Sequence, residues 1–468
     1  MTIHLFNLIL NVTYIHTCLH HTKEGSVCFM KRAVAAALAA VMMISLTACS
    51  GGGNNEPAAA DGGDTSQEEV SLRFYNYALS ETAKADWWKK TVEDFEKEHE
   101  NIHIETVTVD YNSMIQTFTN DLASGLAVDL VYGETSWIPA LADGGFIQDP
   151  ANVMDADFYA GYYDNVMDYF EYTGTVYGVP HYYTPWLIFV NKDLVEGAGL
   201  SMDDFPTTLD DLKSWIETLA AYYKDSNVTT IFGAATSEVA ATGMNLNSMY
   251  TAFGGTLIED EKTMADITSG DNKTAMTEML DFYKYLIGNG YTQDNLKLKD
   301  YRSAFGAGNV AMYVDQSWGY AQIAEVADNT ADFTVTAPLP TTMGSLGKGS
   351  AMLTSHCFLL GSNLSDAQKS AVDAFIQYCT STEVLEGYLN EIGLAYVAHE
   401  SMDDCQISPT LDGAAPACEN TVQQPMTSAL QSIQTELASM VLNYVQNDIS
   451  ADDAISSYVT EAEYYMNQ

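Results

Sequence analysis

Between Val70 and Ala142 short strand-like stretches alternate with helical ones, an order that calls for an open α/β sheet. Val70 to Tyr75 reads as a strand. Asp86 to His99 reads as a helix with Trp88, Val92 and Phe95 on one face, and Ile102 to Val109 as an alternating strand. Ser113 to Ser124 is helical through Met114, Ile115, Phe118 and Leu122, and Gly125 supplies a C-terminal stop. Asp129 to Tyr132 is a short buried strand, followed by a helix around Trp137 to Ala142. Ligands of such sheets collect beyond the carboxyl ends of the strands. Attention therefore falls on Asn76-Tyr77, on Tyr111 and on Gly133 to Ser136.

The middle of the chain changes character. Tyr159 to Tyr183 is rich in tyrosine and ends in Tyr177-Gly178-Val179-Pro180-His181-Tyr182-Tyr183. Leu187 to Val190 is again a buried strand. Thr208 is an N-cap for a helix striped by Leu212, Trp215, Ile216 and Leu219. A helix over Lys273 to Ile287 stops at Gly288, and Ser365 to Gln368 has capping-box spacing before a helix to Tyr378. Helices at Gln424 to Gln446 and Ala451 to Tyr465 complete the reading.

The chain has 468 residues, 47% of them hydrophobic, so it can build cores, and two domains are expected at this length. Its 63 acidic residues against 19 basic ones give a net charge of −44. That repels nucleic acid and anionic lipid surfaces. Arginine, the usual clamp for carboxylates and phosphates, occurs only at Arg32, Arg73 and Arg302. A neutral small ligand suits this inventory better than an anionic one.

Lys31-Arg32, the apolar run Ala33 to Ile44 and Leu46-Thr47-Ala48-Cys49 have the order of a secretion signal. The run is shorter than the roughly 20 residues of a membrane span. Its end resembles the bacterial lipobox, in which the cysteine becomes the lipidated first residue; Cys49 is thus the expected lipidation site. Residues 30–48 are read as the signal peptide and 49–65 as a flexible tether. Residues 1–29 are read as an upstream extension, with translation expected to start at Met30. The extension's histidines and cysteines lack zinc-type spacing, so no metal site is assigned. The protein is expected on the extracytoplasmic face of the bacterial cell membrane, held by its lipid. Disulfides can form there. Cys405 and Cys418 flank a Pro/Gly-rich loop that a bridge would staple, whereas Cys357 and Cys379 read as core residues.

A series of landmarks then follows in order. They run from Asp86-Trp87-Trp88 with Phe95-Glu96, through Leu122-Ala123-Ser124-Gly125 and Asp129-Leu130-Val131, to Tyr177-Gly178-Val179-Pro180 with Asn191-Lys192-Asp193-Leu194. Pro206 to Leu212, Phe253-Gly254-Gly255, Ala311-Met312 with Ser317-Trp318, Ala337-Pro338-Leu339-Pro340 and Ser450 to Ala454 continue the series. Together they resemble the extracellular solute-binding proteins of the maltose-binding type, which deliver sugars to ABC importers. The resemblance implies an α/β, two-lobed periplasmic-binding-protein-like fold with a hinge and an interlobe ligand cleft. On that analogy lobe 1 holds 66–182 and 337–380, and lobe 2 holds 183–336 and 381–468. It also implies a monomer without cofactor or catalysis that captures a neutral sugar. ABC permease subunits would receive that sugar, driven by a separate ATPase, since this chain has no P-loop.

A sugar offers hydroxyls and flat C–H faces, so its receptor needs aromatic rings and polar tips. Trp318 is the first candidate, at the position where the family stacks a sugar, with Asp315 nearby for a hydroxyl. Tyr182, Tyr183 and Thr184 precede the hinge crossing, with His181 a weaker candidate. Asn76 and Tyr77 follow the first strand, Glu134 ends the third, and Asn247, with Asn245, lies before the Gly254-Gly255 turn. Two other readings stand beside this one: a surface-anchored glycan-cleaving enzyme with paired carboxylates, and the same fold binding a cation such as a polyamine.

Overall fold

The computed structural model describes residues 68–467, apart from 393–397 and 406–407. The signal peptide, Cys49, the tether and the upstream extension lie outside the described residues.

The first sheet segment begins with β1 (Val70–Asn76), which pairs in parallel with β2 (Ile102–Thr108) and β3 (Leu130–Glu134). Between β1 and β2 runs α1 (Thr82–Glu98), which buries Trp88, Val92 and Phe95 as its sequence stripe requires. The helix after β2 covers Met114–Ala123 and ends before Gly125, whose φ of 80° is the left-handed geometry glycine tolerates. Trp137 belongs to a 3-10 turn, and the helix proper is Ile138–Asp143.

The stretch read as separate pieces around Tyr177 and Leu187 is one strand, β4 (Gly178–Asn191), buried along its whole length. Its first part, Gly178–Pro185, pairs antiparallel with β8 (Ala351–Gly361). Its second part, Trp186–Asn191, pairs antiparallel with β6 (Val310–Gln316) and with β7 (Thr334–Ala337). β5 (Thr230–Gly233) pairs in parallel with β6. The order across the sheet is β2-β1-β3-β8-β4-β6-β5.

The hydrophobic interior divides at the same place. One core gathers Phe74, Trp88, Phe95, Tyr132, Tyr183, Phe358, Phe375 and Tyr388. The other gathers Trp186, Phe189, Phe232, Met249, Phe282, Tyr313, Leu437 and Tyr458. A strand whose two parts serve different cores has no outward face, which explains why β4 shows apolar continuity rather than alternation.

Other sequence expectations hold with shifted ends. Thr208 caps Leu209–Tyr223 by accepting from the Asp211 N–H at 3.1 Å. Ser365 and Gln368 form the capping box of Asp366–Cys379. The helix expected from Gln424 starts at Leu430, and the last one covers Ala451–Met466. Cys357 and Cys379 are core residues. The Cys405–Cys418 bridge is not formed: all four described cysteines are free. The Cys405 thiol faces the Thr382 carbonyl at 3.7 Å, and burial pushes the Cys418 thiol up to about 12. Among the described residues no helix is long and apolar enough to cross a membrane.

Candidate functional site

A cavity of about 610 Å³ is walled by residues from both cores. The first half contributes Tyr77, Glu81, Lys84, Tyr111, Glu134 and His356, and the second contributes Trp186, Thr242, Met244, Arg302, Gln316 and Trp318.

Tyr77 opens a 3-10 turn directly after β1. Asn76 caps that turn, its Oδ1 accepting from the Ala78 N–H at 2.8 Å. The Tyr77 ring stacks on Tyr132 at 5.8 Å, and its hydroxyl shares a 2.5 Å hydrogen bond with His356 Nδ1. Burial, with Lys84 nearby, holds the His356 imidazole well below its usual range, so it is neutral. At the end of β3, Glu134 accepts from the Ser136 hydroxyl and from Tyr111. Burial raises its carboxyl above the usual range and outweighs those bonds.

Lys84 stands in the first turns of α1, only 2% exposed, with Nζ 2.7 Å from Glu81 Oε2. The ammonium lies 5.5 Å from the Tyr77 ring centre and 4.7 Å from that of Trp318. Across the cavity, β6 ends at Gln316, and Trp318 stands at the head of the helix Gly319–Ala324. Gln316 fixes the indole by accepting from Trp318 Nε1 and donates to Thr354 Oγ1 at 2.5 Å. Arg302 clamps Asp315 through two bonds of 2.6 and 2.7 Å and places its guanidinium carbon 4.1 Å from the Trp318 ring centre. Gly319 leaves room for this pair: a Cβ there would strike the Asp315 carboxylate and come within 3.1 Å of Arg302 Nε.

Of the sequence-selected residues, Trp318, Tyr77, Tyr111 and Glu134 stand on the cavity wall. Asp315 lies behind it, fully buried and occupied by Arg302. Asn76 is buried as a turn cap. Tyr182 is buried with its ring stacked on His356 at 4.8 Å, Tyr183 packs near Tyr169, and Thr184 pairs with Thr354 inside the sheet. Asn247 belongs to a different, shallower surface pocket with Gly255 and Gln424, and its amide faces Met352 Sδ at 3.6 Å. His181 is buried against the Tyr132 hydroxyl at 2.8 Å, and desolvation lowers its imidazole to about 3.

Sequence reasoning passed over Lys84, Glu81, Arg302, Gln316 and Trp186. One signal was present: Lys84 heads the same stripe as Trp88, Val92 and Phe95, so its side chain had to point inward. Among the described residues no group of His, Cys, Asp or Glu could hold a metal ion. The wall combines ring faces with paired charges and neutral polar tips. That chemistry suits binding a polyhydroxy compound.

Comparison with known proteins agrees with this architecture. Over 246 residues the chain is 24% identical to a putative binding protein of Brucella abortus, a match spanning 52% of this chain and 57% of that relative. It is 23% identical over 411 residues to the mannitol-binding protein of Pseudomonas aeruginosa, spanning 78% of this chain and 86% of the relative. Among solved structures, an ABC transporter solute-binding protein of Thermotoga lettingae bound with α-D-tagatose superposes with a TM-score of 0.69. It shares 19% identity, covering 86% of this chain and 100% of that one. Residues 90–411 match the profile of the bacterial extracellular solute-binding proteins, and the chain belongs to that two-lobed, extracytoplasmic family.

Proposed function

We propose that this protein is the receptor of an ABC importer, capturing a neutral carbohydrate in the cavity between its halves and handing it to membrane permease subunits. The observation that carries the reading is a wall that gathers the aromatic side chains of Trp318, Trp186 and Tyr77 beside Gln316, Glu134 and His356. The relatives that bind mannitol and tagatose support a polyol or sugar. The cavity volume of about 610 Å³ falls in the usual range for small-molecule sites. The cations nearest Trp318 already have partners, Lys84 with Glu81 and Arg302 with Asp315, which favours an uncharged ligand. On the wall Lys84, Lys297, Lys299 and Arg302 stand against the carboxylates of Glu81, Asp110, Glu134 and Glu325, a balance that gives a polyamine no excess of negative charge to bind.

In this reading the lobes meet where β4 changes partners, between Pro185 and Trp186, and the hinge lies there and along β8. Cys49 carries the lipid that keeps the receptor at the membrane, and the sugar leaves chemically unchanged. Titration calorimetry against malto-, xylo- and galacto-oligosaccharides, monosaccharides, mannitol and spermidine tests the proposal. Saturable binding of a neutral saccharide without product formation is expected. Binding of spermidine alone, or turnover of a glycan, would overturn it.

A further inference from the structure

The indole that offers a face to a sugar already has two cations against it. Arg302 is immobile: it donates two bonds to Asp315 and a third to Gln322 at 3.2 Å, all within the second half of the molecule. Lys84 differs. It belongs to α1, whose Trp87, Trp88, Val92 and Phe95 are part of the first core, and it lies against Trp318, which follows β6 of the second core in the chain while its ring packs against the first. Among the described residues its ion-pair partner is Glu81, three residues earlier in the chain, whose side chain is 23% exposed. An ammonium on a four-carbon stem can swing away from a ring while keeping such a partner. The same ammonium also lies over Tyr77, so it bridges a ring from each half.

We propose that Lys84 is a specificity-determining residue of the cleft: a tethered cation that holds the face of Trp318, draws the two halves together, and gives up the ring only to a ligand with an apolar face of its own. The proposal rests on the carbohydrate reading above. A flat sugar face and an ammonium compete for the same quadrupole of the indole, and a desolvated cation–π contact is strong enough to exclude ligands that cannot replace it. Removing the cation therefore loosens the contact between the halves and at the same time opens the ring. A purely structural lysine would not produce that pair of effects, because its loss would weaken folding and binding together.

The test uses the full chain and the variants Lys84→Met, Lys84→Arg and Glu81→Gln. Each is titrated with the saccharide that the parent binds best, and its radius of gyration is measured without saccharide. Lys84→Met is expected to bind about fivefold more tightly, the size of one such contact, and to be more expanded before saccharide is added. Lys84→Arg keeps a cation against the ring and should show none of the tightening expected of Lys84→Met. Glu81→Gln, which removes the carboxylate competing for the ammonium and leaves it to the ring, should bind the saccharide more weakly than the parent and decides the matter if Lys84→Met does not fold. Unchanged or weaker binding in folded Lys84→Met, or, where that variant does not fold, unchanged or tighter binding in Glu81→Gln, overturns the proposal. If the parent binds no saccharide, the carbohydrate reading fails by itself and scattering alone judges the contact: an unaltered radius of gyration in Lys84→Met then overturns it.

Discussion

Replacing Asp315 by asparagine should damage stability far more than it damages ligand recognition. The Asp315 side chain is fully buried and that of Arg302 is 6% exposed, with the two joined by bonds of 2.6 and 2.7 Å. Removing one member of a buried pair strands the other charge, at a cost of about 3–5 kcal/mol. A domain is stable by only about 5–15 kcal/mol, so Asp315→Asn should remain folded at room temperature with a much lower denaturant midpoint. Arg302→Met should cost a similar amount for the reciprocal reason. The double variant Arg302→Met/Asp315→Asn should cost less than the sum of the two single changes, because neither charge is left behind. Urea unfolding of the four proteins gives the coupling, and calorimetry on the folded fraction gives the affinity. Asp315→Asn should lose affinity only through the placement of the Trp318 ring by Arg302, by less than it loses in stability. A variant with unaltered stability that has lost most of its saccharide binding would refute this reasoning and make Asp315 a direct ligand contact.

Trp318→Ala should weaken saccharide binding by at least about 1 kcal/mol while the melting temperature moves little, since the ring is only partly buried; equal losses in both would make it a core residue. His181, lowered to about 3 by burial, refuses a proton that the unfolded chain accepts below about pH 6.5. Its contribution is therefore complete above that pH and is lost as pH falls toward 3, with a slope of up to about 1.4 kcal/mol per pH unit. Unfolding measured between pH 7 and 5 should show this decline together with that of His356, which burial lowers likewise, and His181→Asn should reduce the slope while leaving the His356 share; an unaltered slope would contradict the assignment. Cys49→Ala should release the protein from the membrane fraction or leave an uncleaved precursor, and normal retention would remove the lipid anchor from the account.

The alternating elements were legible because their signals are local. The stripe Trp88, Val92, Phe95 and the capping box Ser365 to Gln368 each lie within one or two turns, and both folded as read. The adjacent pair Tyr182 and Tyr183 was not legible as interior. Neighbouring strand residues point to opposite sheet faces, and a strand enclosed on both sides gives no alternation to say so. Asp315 read as a carboxylate free for a sugar hydroxyl because its partner Arg302 stands thirteen residues earlier on a different element. The Cys405–Cys418 pairing failed for a related reason: proximity in sequence across a loop does not bring two thiols into bonding geometry. Tyr77 was selected because ligands of such sheets collect at strand ends, and Trp318 because the family resemblance pointed to it; both line the cavity, whereas Lys84 reaches it from a helix that begins just past a strand end.

The central claim is that two hinged halves close over an uncharged polyhydroxy compound and release it intact. Small-angle scattering across a titration with a bound saccharide, followed by mass spectrometry of the recovered ligand, tests it most directly. The account requires a radius of gyration that shrinks in step with occupancy and a ligand of unaltered mass. An unvarying radius at full occupancy, or a cleaved saccharide, would contradict it.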